Sequence, residues 1–176
     1  MITYAKNSSQ LRDRIVHYVD ARGLREREAL RTVIFPEFAA LGRAVIIGGM
    51  PRDIARRGAK GFSSDIDIVV MPTDYGRYLA RMQELQGKPN RFGGYGLKIA
   101  GWHVDVWALP DTWALKMHLR PVRDFCDLLS TTFFDLDAVL YDIDSRKIIA
   151  PDNYFIVLSS GVIGLNLVEN PNPLGS

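Results

Sequence analysis

Two short apolar runs lie close together in the chain, and they constrain its fold more than any other feature. AVIIGG spans residues 44–49 and ends in a glycine pair, and DIDIVVM spans residues 65–71. Runs of this length, rich in Val and Ile, are typical of buried strands. Between them, PRDIARRG (51–58) predicts a short helix, with Pro51 in its first turn and Gly58 at its end. The predicted unit is therefore a strand, a tight turn, a helix and a second strand.

Patterns along the rest of the chain predict further helices and strands around this unit. Apolar residues at helical spacing predict a helix over residues 10–21, capped by Ser8-Ser9, and a second helical stretch over residues 24–40 that Pro36 perturbs. The remaining predicted elements are a helix capped by Thr73 that runs to about Leu85, strands near 91–100 and 102–109, helices over 112–119 and 123–130, and extended segments over 133–144 and 147–150. This mixture predicts an α/β or α+β fold, with a small mixed sheet flanked by helices.

The chain of 176 residues is expected to form a single domain, with residues 1–40 as an N-terminal helical extension and residues 168–176 as a loose tail. Its N-terminus is polar and lacks the apolar region of a signal peptide. No apolar run approaches the roughly eighteen residues that span a bilayer. A single cysteine, Cys126, excludes an internal disulfide framework. We therefore expect a cytoplasmic protein with no membrane partner.

Three acidic residues interrupt apolar strands in the central part of the chain. Asp65 and Asp67 are two residues apart, so on a strand they share a face, about 7 Å apart at their Cα atoms. Asp105 alternates with apolar residues in a later predicted strand, WHVDVWAL (102–109). Carboxylates on an apolar strand are costly unless a charge compensates them, and Mg²⁺ binds carboxylate oxygens together with substrate phosphates. Three carboxylates from neighbouring strands are what a two-metal phosphoryl or nucleotidyl transfer needs.

The glycine pair upstream of these acids predicts a phosphate site. Gly48 and Gly49 have no Cβ, so the backbone there can approach a ligand closely. The helix that follows directs free N–H groups and its positive dipole end at the same place, and Arg52 can add a charged contact. Taken singly, the glycines could be only a turn and the acids only solvated surface groups. Their order and spacing favour a joint site, with phosphates at the glycines and metal at the acids.

This arrangement resembles the nucleotidyltransferase superfamily with its polymerase-β-like palm. The similarity is greatest to the head domain of bacterial poly(A) polymerases and CCA-adding tRNA nucleotidyltransferases. That family has Gly-Gly-x-x-Arg-Asp and then Asp-x-Asp with apolar residues, which here are Gly48, Gly49, Arg52, Asp53, Asp65 and Asp67. The family's next landmark aligns with residues 131–151, where the matching residues are Phe134, Ala138, Tyr141, Asp142 and Pro151. The small antibiotic nucleotidyltransferases also combine Gly-Gly with Asp-x-Asp, but the Pro-Arg-Asp context here is closer to the head family.

The resemblance implies a Mg²⁺-dependent nucleotidyltransferase. Such an enzyme moves an NMP from an NTP to an acceptor hydroxyl and releases pyrophosphate, and two Mg²⁺ ions are expected. The family's third carboxylate maps onto Asp105, although many members of the head family lack a clear acid there. The catalytic and metal-binding set is then Asp65, Asp67 and Asp105, and the substrate-binding set is Gly48, Gly49, Arg52 and Asp53.

Departures from the family pattern limit what the resemblance implies. Residues 131–133 read Thr-Thr-Phe where the family has Arg-Arg-Asp, and Asp135 and Asp137 stand where it has Thr and Asn. The family's base-reading neck and body would need more chain than follows Pro151. Over roughly residues 40–165, the resemblance therefore implies the metal chemistry but not CCA addition or poly(A) synthesis.

The identity of the acceptor and the retention of activity both stay open. Residues 1–60 carry 12 Lys and Arg against 6 Asp and Glu, whereas residues 61–176 carry 10 against 14. The basic first third slightly favours an RNA or tRNA end as acceptor, and a small molecule or a protein hydroxyl is the alternative. The changed second motif motivates a different class of protein, a catalytically degenerate module that binds a nucleotide or a partner.

Two further features allow more than one interpretation. The glycine-rich stretch 91–96 could be a substrate flap or a plain turn. Trp102, Trp107 and Trp113 are close together in sequence, and such side chains either stack a base or pack in the core.

Overall fold

The computed structural model describes residues 4–21, 23–58 and 62–169. The predicted tail lies outside the described residues from residue 170 onward. Within the described ranges, seven strands form one mixed sheet with the spatial order β3-β4-β5-β2-β1-β6-β7. The strands are β1 (Gly42–Ile47), β2 (Ile66–Pro72), β3 (Lys88–Pro89), β4 (Tyr95–Ile99), β5 (Trp102–Ala108), β6 (Leu140–Asp142) and β7 (Ile148–Ile149).

Helices flank this sheet, which confirms the predicted mixed α/β architecture. They are α1 (Ser8–Val19), α2 (Arg25–Ala29), α3 (Phe35–Ala39), α4 (Gly49–Arg57), α5 (Tyr75–Glu84), α6 (Trp113–Lys116), α7 (Phe125–Leu128) and α8 (Tyr154–Ser160). A π-helical turn, Leu30–Ile34, joins α2 to α3. Of the helices in the described part of the chain, none combines the length and the apolar character needed to cross a membrane.

The sheet pairs β2 and β5 in parallel, and its other neighbouring strands run antiparallel. A parallel pair needs a long crossover connection, which here consists of α5 and the β3–β4 hairpin. The register of this pair sets Asp67 beside Asp105, and on its other side Asp67 is paired with Ile47 at the end of β1. Three segments that are distant in sequence therefore meet at one edge of the sheet.

Alternation along the central strands gives the sheet two different faces. Ile66, Ile68 and Val70 pack into the main hydrophobic core together with residues of α1, α3, α4 and α5. On the opposite face, Val69 joins a smaller cluster that includes Phe125 of α7. Because successive side chains on a strand point to opposite faces, Asp67 shares the face of Val69 rather than that of the main core.

Two helix caps differ from the predicted ones. The N-cap of α1 is Asn7, whose side chain accepts a backbone N–H at 2.9 Å, rather than Ser8-Ser9. The N-cap of α5 is Asp74, whose Oδ1 accepts a backbone N–H at 3.0 Å, rather than Thr73. In both cases the true cap has the extended backbone that an N-cap requires.

The second half of the chain is less regular than its pattern predicts. The helices predicted over 112–119 and 123–130 are confirmed only as the short α6 and α7. The extended conformation predicted over 133–144 is wrong in part, because a 3₁₀ turn, Asp135–Asp137, precedes β6. Gly164 donates its backbone N–H to both carboxylate oxygens of Asp135 at 3.1 Å, so a tertiary contact overrides the strand pattern there.

Candidate active site

The glycine pair forms the turn between β1 and α4. Gly48 precedes the helix with φ 71° and ψ −117°, a backbone conformation that residues with a side chain rarely adopt. A Cβ atom built on Gly48 would lie 3.7 Å from Oδ2 of Asp67, and one built on Gly49 would lie 3.0 Å from Oγ of Ser64. The turn thus brings the N-terminus of α4 against the segment that carries the first two acids.

The three predicted acids line one cavity, which lies at one end of the central strands β2 and β5. Asp67 and Asp105 are register partners in the parallel β2–β5 pair, and both are half-buried. Asp65 is exposed and immediately precedes β2. All three line the same cavity. The structure therefore brings these carboxylates together, as expected for neighbouring strands.

Asp67 is the electrostatic centre of this group. Burial, and after it the negative charges of Asp105, Asp65 and Asp137, raise its pKa to about 7, whereas Arg52 acts to lower it. A carboxyl group in such surroundings keeps its proton near neutral pH unless a cation offsets the surrounding negative charge. The negative charge of these carboxylates therefore exceeds the positive charge that Arg52 supplies to the site.

These carboxylates could contribute to a Mg²⁺ site only together with other ligands. Within the described ranges, no three His, Cys, Asp or Glu side chains are grouped so that they could hold a metal ion by themselves. Mg²⁺ is usually bound by one or two carboxylates, with substrate phosphates and water completing its octahedral shell. Asp67 and Asp105 are adjacent hard oxygen donors that line the same cavity as the glycine turn, so the chemistry of the donor set fits this kind of ion.

Arg52 is held between two carboxylates in the first turns of α4. Its Nε donates to Oδ1 of Asp53 at 2.9 Å, and its Nη1 donates to Oδ1 of Asp137 at 2.6 Å. These two partners raise the pKa of Arg52 above its usual value, against the opposing effect of burial, so the guanidinium stays charged. Its Nη2 is directed toward the glycine turn, 3.9 Å from the Cβ position of Gly49.

The positions of Asp53 and Asp137 in the structure differ from the roles that the sequence predicted for them. Asp53, a predicted substrate-binding residue, contacts Arg52 and is not among the residues that line the cavity. Asp137 lines the cavity, although the sequence marked it only as a departure from the family pattern. The acid at this position, where the family has Asn, was the signal that could have indicated it.

The cavity has a volume of about 510 Å³ and is lined by two chemically different groups of residues. The polar group comprises the glycine turn, Arg52, Asp137 and the three acids. The apolar and aromatic group includes Phe92, Trp107, Trp113, Leu128 and Phe133. Of the residues predicted for the site, all but Asp53 therefore face one common space.

The glycine-rich stretch forms the turn of the β3–β4 hairpin, and Asn90 at the start of this turn contacts Asp105. Oδ1 of Asn90 accepts the backbone N–H groups of Phe92 and Gly94, both at 3.0 Å. This leaves the Asn90 amide to donate to Oδ1 of Asp105 at 3.4 Å. The stretch is an ordered turn that presents Phe92 to the cavity, and Asn90 is a residue that the sequence analysis missed.

The three tryptophans have different surroundings. Trp102 stacks on Phe62 with ring centroids 5.9 Å apart, and Trp107 lies against Gly94, where a Cβ would meet its Nε1 at 2.5 Å. Trp113 packs against Phe133, with ring centroids 5.9 Å apart and planes inclined by 50°. Trp107 and Trp113 line the cavity, whereas Trp102 packs against the main core, so core packing is confirmed for Trp102 and base stacking stays a prediction.

Solved structures provide the comparison for this fold. The Thermotoga maritima CCA-adding enzyme complexed with tRNA matches 94% of this chain with a TM-score of 0.57 and 18% sequence identity. A CCA-adding enzyme in complex with CTP matches 89% of the chain, with a TM-score of 0.58 and 20% identity. A tRNA nucleotidyltransferase with a primer tRNA and an incoming ATP analogue matches 71%, with a TM-score of 0.51 and 22% identity. No protein-family model matches the sequence, and no curated protein matches it.

These similarities define the class of fold. The chain shares its fold with the matching parts of the CCA-adding enzymes and the tRNA nucleotidyltransferase. This is the fold that the sequence resemblance implied. The chain spans a little over a third of the length of these solved proteins, 36–37%. At identities of 18–22%, the similarity shows the fold and not the reaction.

Proposed function

We propose that this chain transfers an NMP from an NTP to an acceptor hydroxyl and releases pyrophosphate. The observation that carries the proposal is the half-buried carboxyl of Asp67, which is in register with Asp105 and lies close to the Gly48 turn. A concentration of negative charge next to backbone N–H groups is suited to a ligand that combines phosphates with divalent cations. The nucleotidyltransferase fold supports the same reaction class.

The backbone and Arg52 would bind the triphosphate. The N–H groups of the first turn of α4 lack intrahelical partners and follow the glycine turn, and Nη2 of Arg52 lies 3.9 Å from a Cβ built on Gly49, so both are placed to contact a phosphate there. Asp53 and Asp137 hold the other nitrogens of the guanidinium and so fix the direction of Nη2. In this proposal they are positioning residues, and Arg52 contacts the substrate.

The acids would bind the cations and orient the acceptor. Asp65, Asp67 and Asp105 would hold two Mg²⁺ ions together with phosphate and water ligands. When bound, the ions would neutralise negative charge on the triphosphate and act as Lewis acids toward it. The acceptor oxygen forms a bond to the α-phosphorus while the bond from that phosphorus to the β-phosphate bridging oxygen breaks. We assign the acceptor's proton to Asp105, whose carboxylate is oriented by the amide of Asn90, which donates to Oδ1 at 3.4 Å.

The acceptor is proposed only as a class. Complexes of the similar solved proteins with tRNA and nucleotides support an NTP and an RNA or tRNA end as partners. A small molecule or a protein hydroxyl is the alternative acceptor. The cytoplasmic location also stays a prediction from the sequence.

Labelled NTPs test the proposal directly. The protein is incubated with each α-³²P-labelled NTP, Mg²⁺ and RNA, tRNA, protein or small-molecule acceptors, and label transfer and pyrophosphate are both measured. We expect transfer to be lost in the Asp65→Ala and Asp67→Ala double variant and kept in Asp152→Ala, which removes an exposed carboxylate elsewhere. Transfer that is equal in the double variant and the wild type would show that the assignment is wrong.

A second candidate is a module that binds nucleotide or a partner without catalysis. Two observations favour it. Within the described ranges, no three acidic, His or Cys side chains are grouped so that they could hold a metal ion, and two carboxylates already pair with Arg52. Thermal shift with ATP, measured with Mg²⁺ and with EDTA, separates the candidates. Nucleotide binding that does not depend on Mg²⁺, together with no turnover on any acceptor, would support the binding module.

A further inference from the structure

We propose that Trp113 and Phe133, called here the aromatic wall, bind the base of the NTP by stacking and discriminate only weakly among the four bases. This inference rests on the proposed function, because its ligand is the nucleotide of that reaction. It adds a base subsite formed by this chain's own residues.

The aromatic wall is open to the cavity and held in place from behind. Both rings are half-buried and line the space that also contains the three acids. Trp113 begins α6, directly after a 3₁₀ turn whose Asp111 accepts from the hydroxyl of Tyr75 at 2.6 Å and pairs with Nζ of Lys116 at 3.0 Å. The backbone carbonyl of Phe133 accepts the N–H of Asn166 at 2.8 Å. The rings therefore form a prearranged surface, which lowers the entropic cost of stacking a planar ligand.

The position of the wall favours the base of the incoming nucleotide over the acceptor. Phe133 and Asp137 belong to one short segment, and Asp137 holds Arg52 at the phosphate end of the cavity. The wall and the phosphate site are thus linked by four residues of chain. The acceptor's residue, Asp105, is instead held from the hairpin turn by Asn90.

The hydrogen-bonding groups near the aromatic wall explain why the site would discriminate only weakly among the four bases. The hydroxyl protons of Thr131 and Thr132 are already donated to the backbone carbonyls of Leu128 and Phe134, at 2.8 and 3.0 Å. The indole N–H of Trp113 is a donor, but every base has an acceptor that a single donor can reach. Stacking is tolerant of sequence because every base has a π-face.

Equilibrium binding in Mg²⁺ tests this subsite without requiring turnover. Dissociation constants are measured by calorimetry for ATP, CTP, GTP, UTP and inorganic tripolyphosphate. We expect all four NTPs to bind within about threefold of one another and at least about tenfold more tightly than tripolyphosphate, since stacking one base on aromatic side chains has a large effect.

Variants locate the effect on the wall. Trp113→Leu is expected to weaken all four NTPs by about tenfold and to leave tripolyphosphate unchanged, whereas Trp113→Phe keeps most of the affinity. The matched control is Trp102→Leu, which removes an indole that stacks on Phe62 outside the cavity. Because Trp113→Leu could affect folding, its far-ultraviolet circular dichroism and unfolding midpoint are compared with those of Trp113→Phe. If it does not fold, Phe133→Leu serves as the second test.

The outcomes distinguish this inference from the proposed function. Tripolyphosphate that binds as tightly as the NTPs, with no effect of Trp113→Leu, overturns the base subsite and leaves the phosphate site intact. A preference of more than tenfold for one base also overturns it. A wild-type protein that binds neither NTP nor tripolyphosphate overturns the proposed function itself.

Discussion

Replacing Asp67 by Asn is expected to stabilise the metal-free protein, and to do so more at high pH than at low pH. The folded-state pKa of about 7 lies above the ordinary value of 3.8 because of burial and the neighbouring acids. A carboxyl whose folded pKa is raised binds its proton more tightly in the folded state than in the unfolded state. Its penalty is therefore absent below the unfolded pKa and grows as pH rises toward the folded pKa.

The magnitude follows from the two pKa values. Each pKa unit corresponds to about 1.4 kcal/mol, so the ionisation of Asp67 lowers the free energy of unfolding by about 1.7 kcal/mol at pH 5 and about 4 kcal/mol at pH 8. These figures are upper bounds, since the side chain is only half-buried. Asn has nearly the same shape and cannot ionise, so Asp67→Asn removes the penalty. For a chain of this size, a gain of about 4 kcal/mol in Asp67→Asn at pH 8 corresponds to a rise in Tm of roughly 8–16 °C.

Urea unfolding in EDTA at pH 5 and pH 8 measures this effect. The stabilisation of Asp67→Asn over the wild type should be larger at pH 8 than at pH 5, by up to about 2.5 kcal/mol. Asp152→Asn, at an exposed carboxylate, is the control and should show no such pH-dependent gain. Equal stabilisation at both pH values, or destabilisation at pH 8, would refute the account of the charge around Asp67.

Three further predictions concern the groups around the acids. Gly48→Ala should lower the free energy of unfolding by about 1–2 kcal/mol in urea titrations, because its φ of 71° disfavours a side chain; a stability equal to wild type would contradict this. Asn90→Ala should lower kcat about tenfold with little change in the Kd for NTP, because the Asp105 carboxylate loses its partner; an unchanged kcat in steady-state assays would remove its positioning role. Asp137→Ala should weaken NTP binding several-fold in calorimetry, because the guanidinium of Arg52 loses a charge-assisted contact at 2.6 Å; tighter binding would mean that Asp137 instead competes with the phosphates.

The sequence was sufficient for the local parts of the site. The strand, the glycine turn, the helix and the Asp-x-Asp strand were all predicted, with ends within about two residues, because glycine conformations and strand periodicity are local properties. The same local patterns failed at the caps, where Asn7 and Asp74 replace the predicted neighbours. They also failed over Asp135–Asp137, where tertiary contacts decide the conformation.

Only the tertiary structure decided how the site is assembled. The sequence placed Asp105 in a strand, but the parallel register that sets it beside Asp67 depends on a crossover through α5 and a hairpin. The contact of Arg52 with Asp137 joins residues 85 positions apart. The contact of Asn90 with Asp105 joins the turn of the β3–β4 hairpin to β5. Such contacts form because packing fixes backbones that are distant in sequence, and no residue pattern within one segment encodes them. The residue types of the site are thus determined by sequence, whereas their partners, burial and pKa values are determined by the folded chain.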